Sequence, residues 1–189
     1  LELASAYDFY RVLAVNSAEA RLPLMARMLE MTDLLALNLD EAAALSGIDH
    51  SSGGQAVVQQ VISHTQAIRP GLCLSVTAGK EGSWTWDGSN LNFQPGLPAK
   101  VESTAGAGDA HLAGIISGLA AGLSLFEAHE LAGLVSALSV TSPHTIHPDL
   151  DQRSLAAFAK ESGVCLSPHV AHLLMASGSH EIGGSPGKS

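Results

Sequence analysis

Basic residues are scarce in this chain: 9 Lys and Arg stand against 18 Asp and Glu among 189 residues, a formal net charge of −9. The few cations are scattered singly, which argues against a surface for nucleic acid or an anionic membrane. Cysteine is scarcer still. Cys73 and Cys165 are too few and too far apart for a disulfide framework or a zinc ribbon. They place the chain in a reducing compartment, read here as the cytoplasm. No leader is expected, because no basic segment precedes Leu1–Ala4 and Glu2 and Asp8 interrupt the apolar start. Long hydrophobic runs are also missing. The apolar, uncharged stretch 112–126 falls short of the roughly 18–20 residues needed to span a bilayer. Its glycines, Gly114, Gly118 and Gly122, follow the four-residue spacing of packed transmembrane helices, but no Lys or Arg lies between Lys100 and Arg153 to anchor it. A buried helix lying closely on its neighbours is the expectation, with no membrane partner.

What the chain does have is core. Hydrophobic residues make up 46% and charged residues 14%, which excludes disorder over the whole length and suits one domain. Short apolar runs at Arg11–Asn16, Asp33–Leu37 and Leu72–Thr77 read as buried strands. Helical composition or spacing follows at Ala18–Met31, Asp40–Leu45 and Gln55–Ile68. Ser83–Trp86 and Leu91–Phe93, split by Asp87-Gly88, read as a hairpin. Trp84 and Trp86 alternate on one face of it, a packing pattern. Helices are expected from the Gly-rich turn at Thr104–Asp109 to about Gly122, at Leu125–Thr141, and at Gln152–Ser162 behind an Asp151 cap. Strands alternating with helices predict an α/β fold with a largely parallel sheet covered on both faces. Residues 1–166 are read as the domain. From Ser167 to Ser189 the chain turns to Ser, Gly and His, and a flexible tail is expected.

Thr104-Ala105-Gly106-Ala107-Gly108-Asp109 carries the most chemistry. Small residues where an extended segment enters a long helix let backbone N–H groups point outward, an arrangement that holds an anion. Asp109 would repel a bound phosphate unless it has another task, such as taking a proton from an attacking hydroxyl. As a plain alternative, it caps the helix. Asn38-Leu39-Asp40-Glu41 has the spacing of a capping box. Val76-Thr77-Ala78-Gly79-Lys80-Glu81-Gly82 follows a strand. Its glycines either serve a turn of positive φ or let the backbone approach a ligand at the carboxyl end of the sheet. The terminal Gly-Lys-Ser lacks the first glycine of a P-loop, with Ile182 in its place, and no helix follows. The pairs His144/His147 and His169/His172 lie outside the expected helices and lack a carboxylate at zinc-site spacing, so no metal site is expected of them.

The stretch STAGAGDAHLAGIISGLAAG resembles the C-terminal signature of the ribokinase-like (PfkB) carbohydrate and nucleoside kinases, Asp-Thr-x-Gly-Ala-Gly-Asp, with Thr104, Gly106, Ala107, Gly108 and Asp109 matching. The resemblance implies a three-layer ribokinase-like fold and transfer of phosphate from ATP to a hydroxyl of a sugar or nucleoside. It gives Asp109 the role of catalytic base and the amides of Gly106, Ala107 and Gly108 that of an anion hole. Asn38 and Glu41 resemble the family's Asn-x-x-Glu motif, which helps to position Mg²⁺ and phosphate through water, a role compatible with capping. Thr77, Gly79 and Gly82, with Thr104, would lie at the nucleotide.

The likeness runs from about Arg11 to Glu161 and corresponds to the C-terminal part of such a kinase; nothing matches the N-terminal portion or its β lid. A truncated, non-catalytic nucleotide-binding or interaction module is therefore the alternative. Missing strands would expose a sheet edge open to pairing with another copy, as in a homodimer. Ser103 replaces the acidic residue that helps to form a monovalent-cation site in many members, so the resemblance does not carry K⁺ dependence over. His111 stands where the family often has Phe. Ser142–Leu150 resembles the Thr-(Ile/Val)-Asn-Pro stretch of pseudouridine kinase and related nucleoside kinases, with His147 in place of Asn, and points towards a pseudouridine- or ribose-like acceptor.

Overall fold

The computed structural model describes residue 7, residues 9–49, residue 51 and residues 53–176; Leu1–Ala4 and the terminal Gly-Lys-Ser lie outside them. Five strands form one sheet in sequence order: β1 (Val12–Ala14), β2 (Leu34–Asn38), β3 (Cys73–Thr77), β4 (Gly82–Trp86) and β5 (Leu91–Pro95). β1, β2 and β3 run parallel, and the hairpin β4–β5 continues the sheet antiparallel to β3. The α/β class and the hairpin at Asp87-Gly88 are as the sequence predicts.

One face of the sheet carries α1 (Met25–Glu30), α2 (Leu39–Ser46) and α3 (Gly54–Ile68). Their buried Leu29, Ala42, Val57, Val58 and Val61 pack on Leu35, Leu37, Leu74, Val76 and Trp84. The period of 3.6 in α3 and of 2 in the strands brings these side chains together. Ala18–Met31 is not one helix as expected. Pro23 cannot donate to a helical ladder, and the segment divides into a 3₁₀ turn at Glu19–Arg21 and the short α1.

The opposite face carries α4 (Ala107–Ala120) and α5 (Leu125–Ser139), with α6 (Gln152–Glu161) and α7 (Pro168–Met175) beyond them. The glycine spacing of α4 serves its contact with α5. A Cβ on Gly114 would sit 2.6 Å from Ala132 Cα, and one on Gly118 would sit 2.8 Å from Ala128 Cα. Among the described residues no helix is long and apolar enough to cross a membrane.

The expected tail is helical at its start. Ser167-Pro168 opens α7 with Pro at the first helical positions, and Val170 and Leu174 are buried against Leu131, Leu134 and Leu138 of α5. Burial of that apolar stripe outweighs the polar composition around it. His169 and His172 thus do share a helix, and His169 Nδ1 lies 2.5 Å from Glu127 Oε1 of α5.

At the amino ends of β1 and β2 the sheet is stapled by charge. Arg11 Nε donates to Asp33 Oδ2 at 2.9 Å, Arg69 Nη2 reaches Asp33 Oδ1 at 2.5 Å, and Arg69 Nη1 donates to the Thr32 carbonyl. These bonds, those from Arg11 above all, hold the Asp33 carboxyl down to about 2. The staple leaves the carboxyl ends of the strands free for the site.

Candidate active site

Parallel strands end in a crevice where helices begin, and that is where ligands gather in open α/β sheets. Here β1, β2 and β3 end beneath the first turn of α4, and a cavity of about 280 Å³ lies between them. Its walls are Ala14 and Asn16 after β1, Ala36, Leu37 and Glu41 at β2 and α2, Ser75 and Thr77 on β3, and Gly108, Asp109 and His111 on α4.

Asn38 caps α2: its Oδ1 accepts from Glu41 N–H at 2.9 Å, and Glu41 Oε2 accepts from Asn38 N–H at 2.7 Å. The box holds Glu41 at the cavity wall with one carboxylate oxygen bonded to the Asn38 backbone N–H. Capping and a place at the cavity wall therefore coexist in one side chain.

At the other wall, Gly106 is the N-cap of α4 with φ +81°, and a Cβ there would lie 2.7 Å from the carbonyl oxygen of Thr145. Glycine is needed twice over, for the left-handed conformation and for the approach of the Ser142–His147 loop. Ala110 N–H closes the first helical ring on Gly106 O at 2.8 Å, and before it Ala107 N–H donates to the Thr104 carbonyl at 3.3 Å, while the Gly108 N–H has no acceptor within the helix. Asp109 stands in that turn, exposed, and lines the cavity.

Of the residues singled out in the sequence, the structure brings Glu41, Thr77, Gly108 and Asp109 around one space. Asn38, Gly106 and Ala107 adjoin it without lining it. Gly79, Gly82 and Thr104 stand further back. Gly82 has a structural duty of its own, since a Cβ there would meet the Gln94 carbonyl oxygen at 2.1 Å and break the β4–β5 pairing.

Two wall residues, Asn16 and Glu19, escape the sequence reading, although their spacing repeats Asn38 and Glu41. Asn16 N–H donates to Glu19 Oε2 at 3.0 Å and Glu19 N–H to Asn16 Oδ1 at 3.0 Å, so the box recurs after β1. Because Ala14 pairs with Ala36, the two boxes stand at the same height on adjacent strands. Ser75 is the other omission, and His111 reaches the cavity rather than merely packing near it.

The floor is buried and polar. His111 Nε2 lies 3.4 Å from Ser75 Oγ, and the ring meets His129 edge-on with centroids 5.2 Å apart. His129 Nε2 in turn lies 2.7 Å from Ser83 Oγ on β4. Burial pushes His111 down to about 4 and His129 to about 3, so both are neutral at pH 7.

Comparison with known proteins bears on this arrangement. The pattern of the family described as pfkB family carbohydrate kinase matches residues 3–153. A sugar kinase of Escherichia coli K12 described as uncharacterized, YegV, is 40% identical over 63 residues, covering 33% of this chain and 20% of the relative. The 2-dehydro-3-deoxygluconokinase of Bacillus subtilis 168 is 33% identical over 86 residues, covering 45% of this chain and 26% of its own. Among solved structures, a ribokinase from Thermotoga maritima superposes with a TM-score of 0.69 at 22% identity, over 85% of this chain and 52% of that one. An aminoimidazole riboside kinase from Salmonella enterica, solved with aminoimidazole riboside and an ATP analog, gives 0.69 at 20% identity, over 82% and 54%. The chain spans about half the length of these structures and a fifth to a quarter of those curated relatives.

Proposed function

The chain belongs to the pfkB family of carbohydrate kinases, and from that premise we propose that its cavity transfers the γ-phosphoryl group of ATP to a hydroxyl of a sugar or nucleoside. The observation that carries the reading is the meeting of Gly108 and Asp109 in the first turn of α4 with Glu41 and Thr77 around one cavity. Phosphoryl transfer asks little covalent chemistry of a protein. It asks for positioned reactants and for donors aimed at the oxygens that gather charge.

Asp109 serves as the base that takes the proton of the acceptor hydroxyl, whose oxygen then attacks the γ-phosphorus as the bond to the β-phosphate oxygen breaks. Its exposed carboxylate has no hydrogen-bond partner among the described residues and so is free to face that hydroxyl. The amides of Gly106, Ala107 and Gly108 receive charge on the moving phosphoryl group. Thr77, Gly79, Gly82 and Thr104 seat the nucleotide at the end of β3 and around the turn into α4. Glu41, with Asn38 orienting it, would hold Mg²⁺ through water. The free oxygen of a carboxylate fixed by its own capping box fits a cation that keeps much of its hydration. The ion neutralises the β and γ phosphates when bound. The resemblance of Ser142–Leu150 to the corresponding stretch of nucleoside kinases supports a pseudouridine- or ribose-like acceptor.

A second reading is supported by the span of the chain, about half that of the solved kinases: a nucleotide-binding or interaction module without transfer. In either reading the outer edge of β1, which pairs with no further strand among the described residues, is a place for a second copy to dock. The two free cysteines fit a reducing, cytoplasmic setting. Turnover of ATP in Mg²⁺ with ribose, adenosine and pseudouridine separates the readings. Phosphorylation of one acceptor supports the kinase; ATP binding without transfer supports the module.

A further inference from the structure

The rows of the parallel sheet that face α4 change character step by step. Val12, Leu34 and Cys73 share a register row and pack on Ile115 and Leu119. The next row, Ala14, Ala36 and Ser75, lines the cavity. Its two methyl side chains leave the room in which a ligand fits. Its third member brings a hydroxyl. From above, His111 closes the floor at 4% exposure, and Ser75 has 1%.

Buried and neutral, the imidazole keeps one ring nitrogen as an acceptor, and with the proton on Nδ1 that acceptor is Nε2, 3.4 Å from Ser75 Oγ. A Ser75 hydroxyl that donates to Nε2 keeps its own lone pairs for a donor entering from the cavity. An anion has no such proton to give, whereas an alcohol has. In the kinase reading the rim, where Gly108 begins α4, takes the phosphate, and the floor suits an O–H group.

We propose that Ser75 and His111 are specificity-determining residues: together they accept a hydrogen bond from a second hydroxyl of the acceptor, neighbouring the one that Asp109 faces. The inference rests on the kinase reading of this cavity and narrows its acceptors to polyols. A site built to bond a hydroxyl rejects the analogue that lacks it, because its own buried polar atoms are then left unpaired.

The test is kcat/KM of the full chain with MgATP and D-ribose, against its 2-deoxy and 3-deoxy analogues, in wild type, Ser75→Ala and His111→Phe. Wild type is expected to prefer ribose over one of the analogues by about tenfold or more, mainly through KM. Each variant is expected to bring that ratio to within about twofold of unity. Ser75→Ala removes only a hydroxyl and His111→Phe supplies an apolar ring, so the two fail independently if one of them does not fold. Transfer by wild type with no preference, or the same preference in wild type and both variants, overturns the inference alone. No transfer to any of the three sugars overturns the kinase reading and this inference with it.

Discussion

Gly106 and Thr145 meet at the mouth of the cavity: a β-carbon on Gly106 would lie 2.7 Å from the Thr145 carbonyl oxygen and 3.0 Å from its methyl group. The turn that points amides at the site is thus held in place by a loop from the far end of α5. The conformation at the start of α4 meets a backbone contact some forty residues away in the chain.

Gly106→Ala tests that contact. The left-handed φ of +81° and the collision with Thr145 both oppose a side chain. A loss of about 1–3 kcal/mol is expected from strain of this kind, read as a lower midpoint in urea. Weaker ATP binding should accompany it, measured by calorimetry. A variant as stable and as tight as wild type would show that the loop does not hold the turn.

Within the same helix, Gly114→Ala and Gly108→Ala should move stability in opposite directions. Gly114 touches the α5 backbone at Ala132, and an added methyl there overpacks the interface, at about 1–3 kcal/mol. Gly108 has nothing within 4 Å of an added Cβ, so alanine gains helix propensity of about 0.5–1 kcal/mol. Thermal midpoints of the two variants decide it.

Acid should weaken the fold before it touches the carboxylates. His111 and His129 are held near 4 and 3 by burial, below the ordinary 6.5. Between pH 6.5 and about 4 the unfolded chain binds both protons and the folded chain neither, so stability falls as pH falls. The slope is at most about 1.4 kcal/mol per pH unit for each imidazole. Urea unfolding at several pH values checks the sign. His129→Leu should flatten part of this slope, and a slope unchanged by it would contradict the assignment. The Asp33 staple acts lower: its carboxyl, held to about 2 against 3.8, contributes stability above pH 4 that is lost as pH falls towards 2.

Much of this site can be read before any coordinates. The Gly106–Asp109 turn, Glu41 and Thr77 each sit at a strand end or a helix start, and local spacing marks such junctions. Asn16 and Glu19 have the same spacing as Asn38 and Glu41, yet only the Ala14–Ala36 pairing shows that both boxes flank one cavity. Register across a parallel sheet is a tertiary fact that one strand does not reveal. Ser75 was hidden for a like reason, since its role comes from facing His111. α7 was missed where its signal was present: Pro168 at the start and Val170 and Leu174 at helical spacing, outvoted by the Ser, Gly and His around them. Pro23 was a visible breaker inside an apparently helical stretch, and it broke it.

The most direct measurement compares ATP turnover and ATP affinity in wild type and Asp109→Asn, in Mg²⁺ with the acceptor panel. Asparagine keeps the shape of the first turn of α4 and removes only the basic oxygen. The account predicts a fall in turnover of about a hundredfold or more, with nucleotide affinity nearly unchanged. Turnover that survives the substitution would contradict the account and place the proton transfer elsewhere.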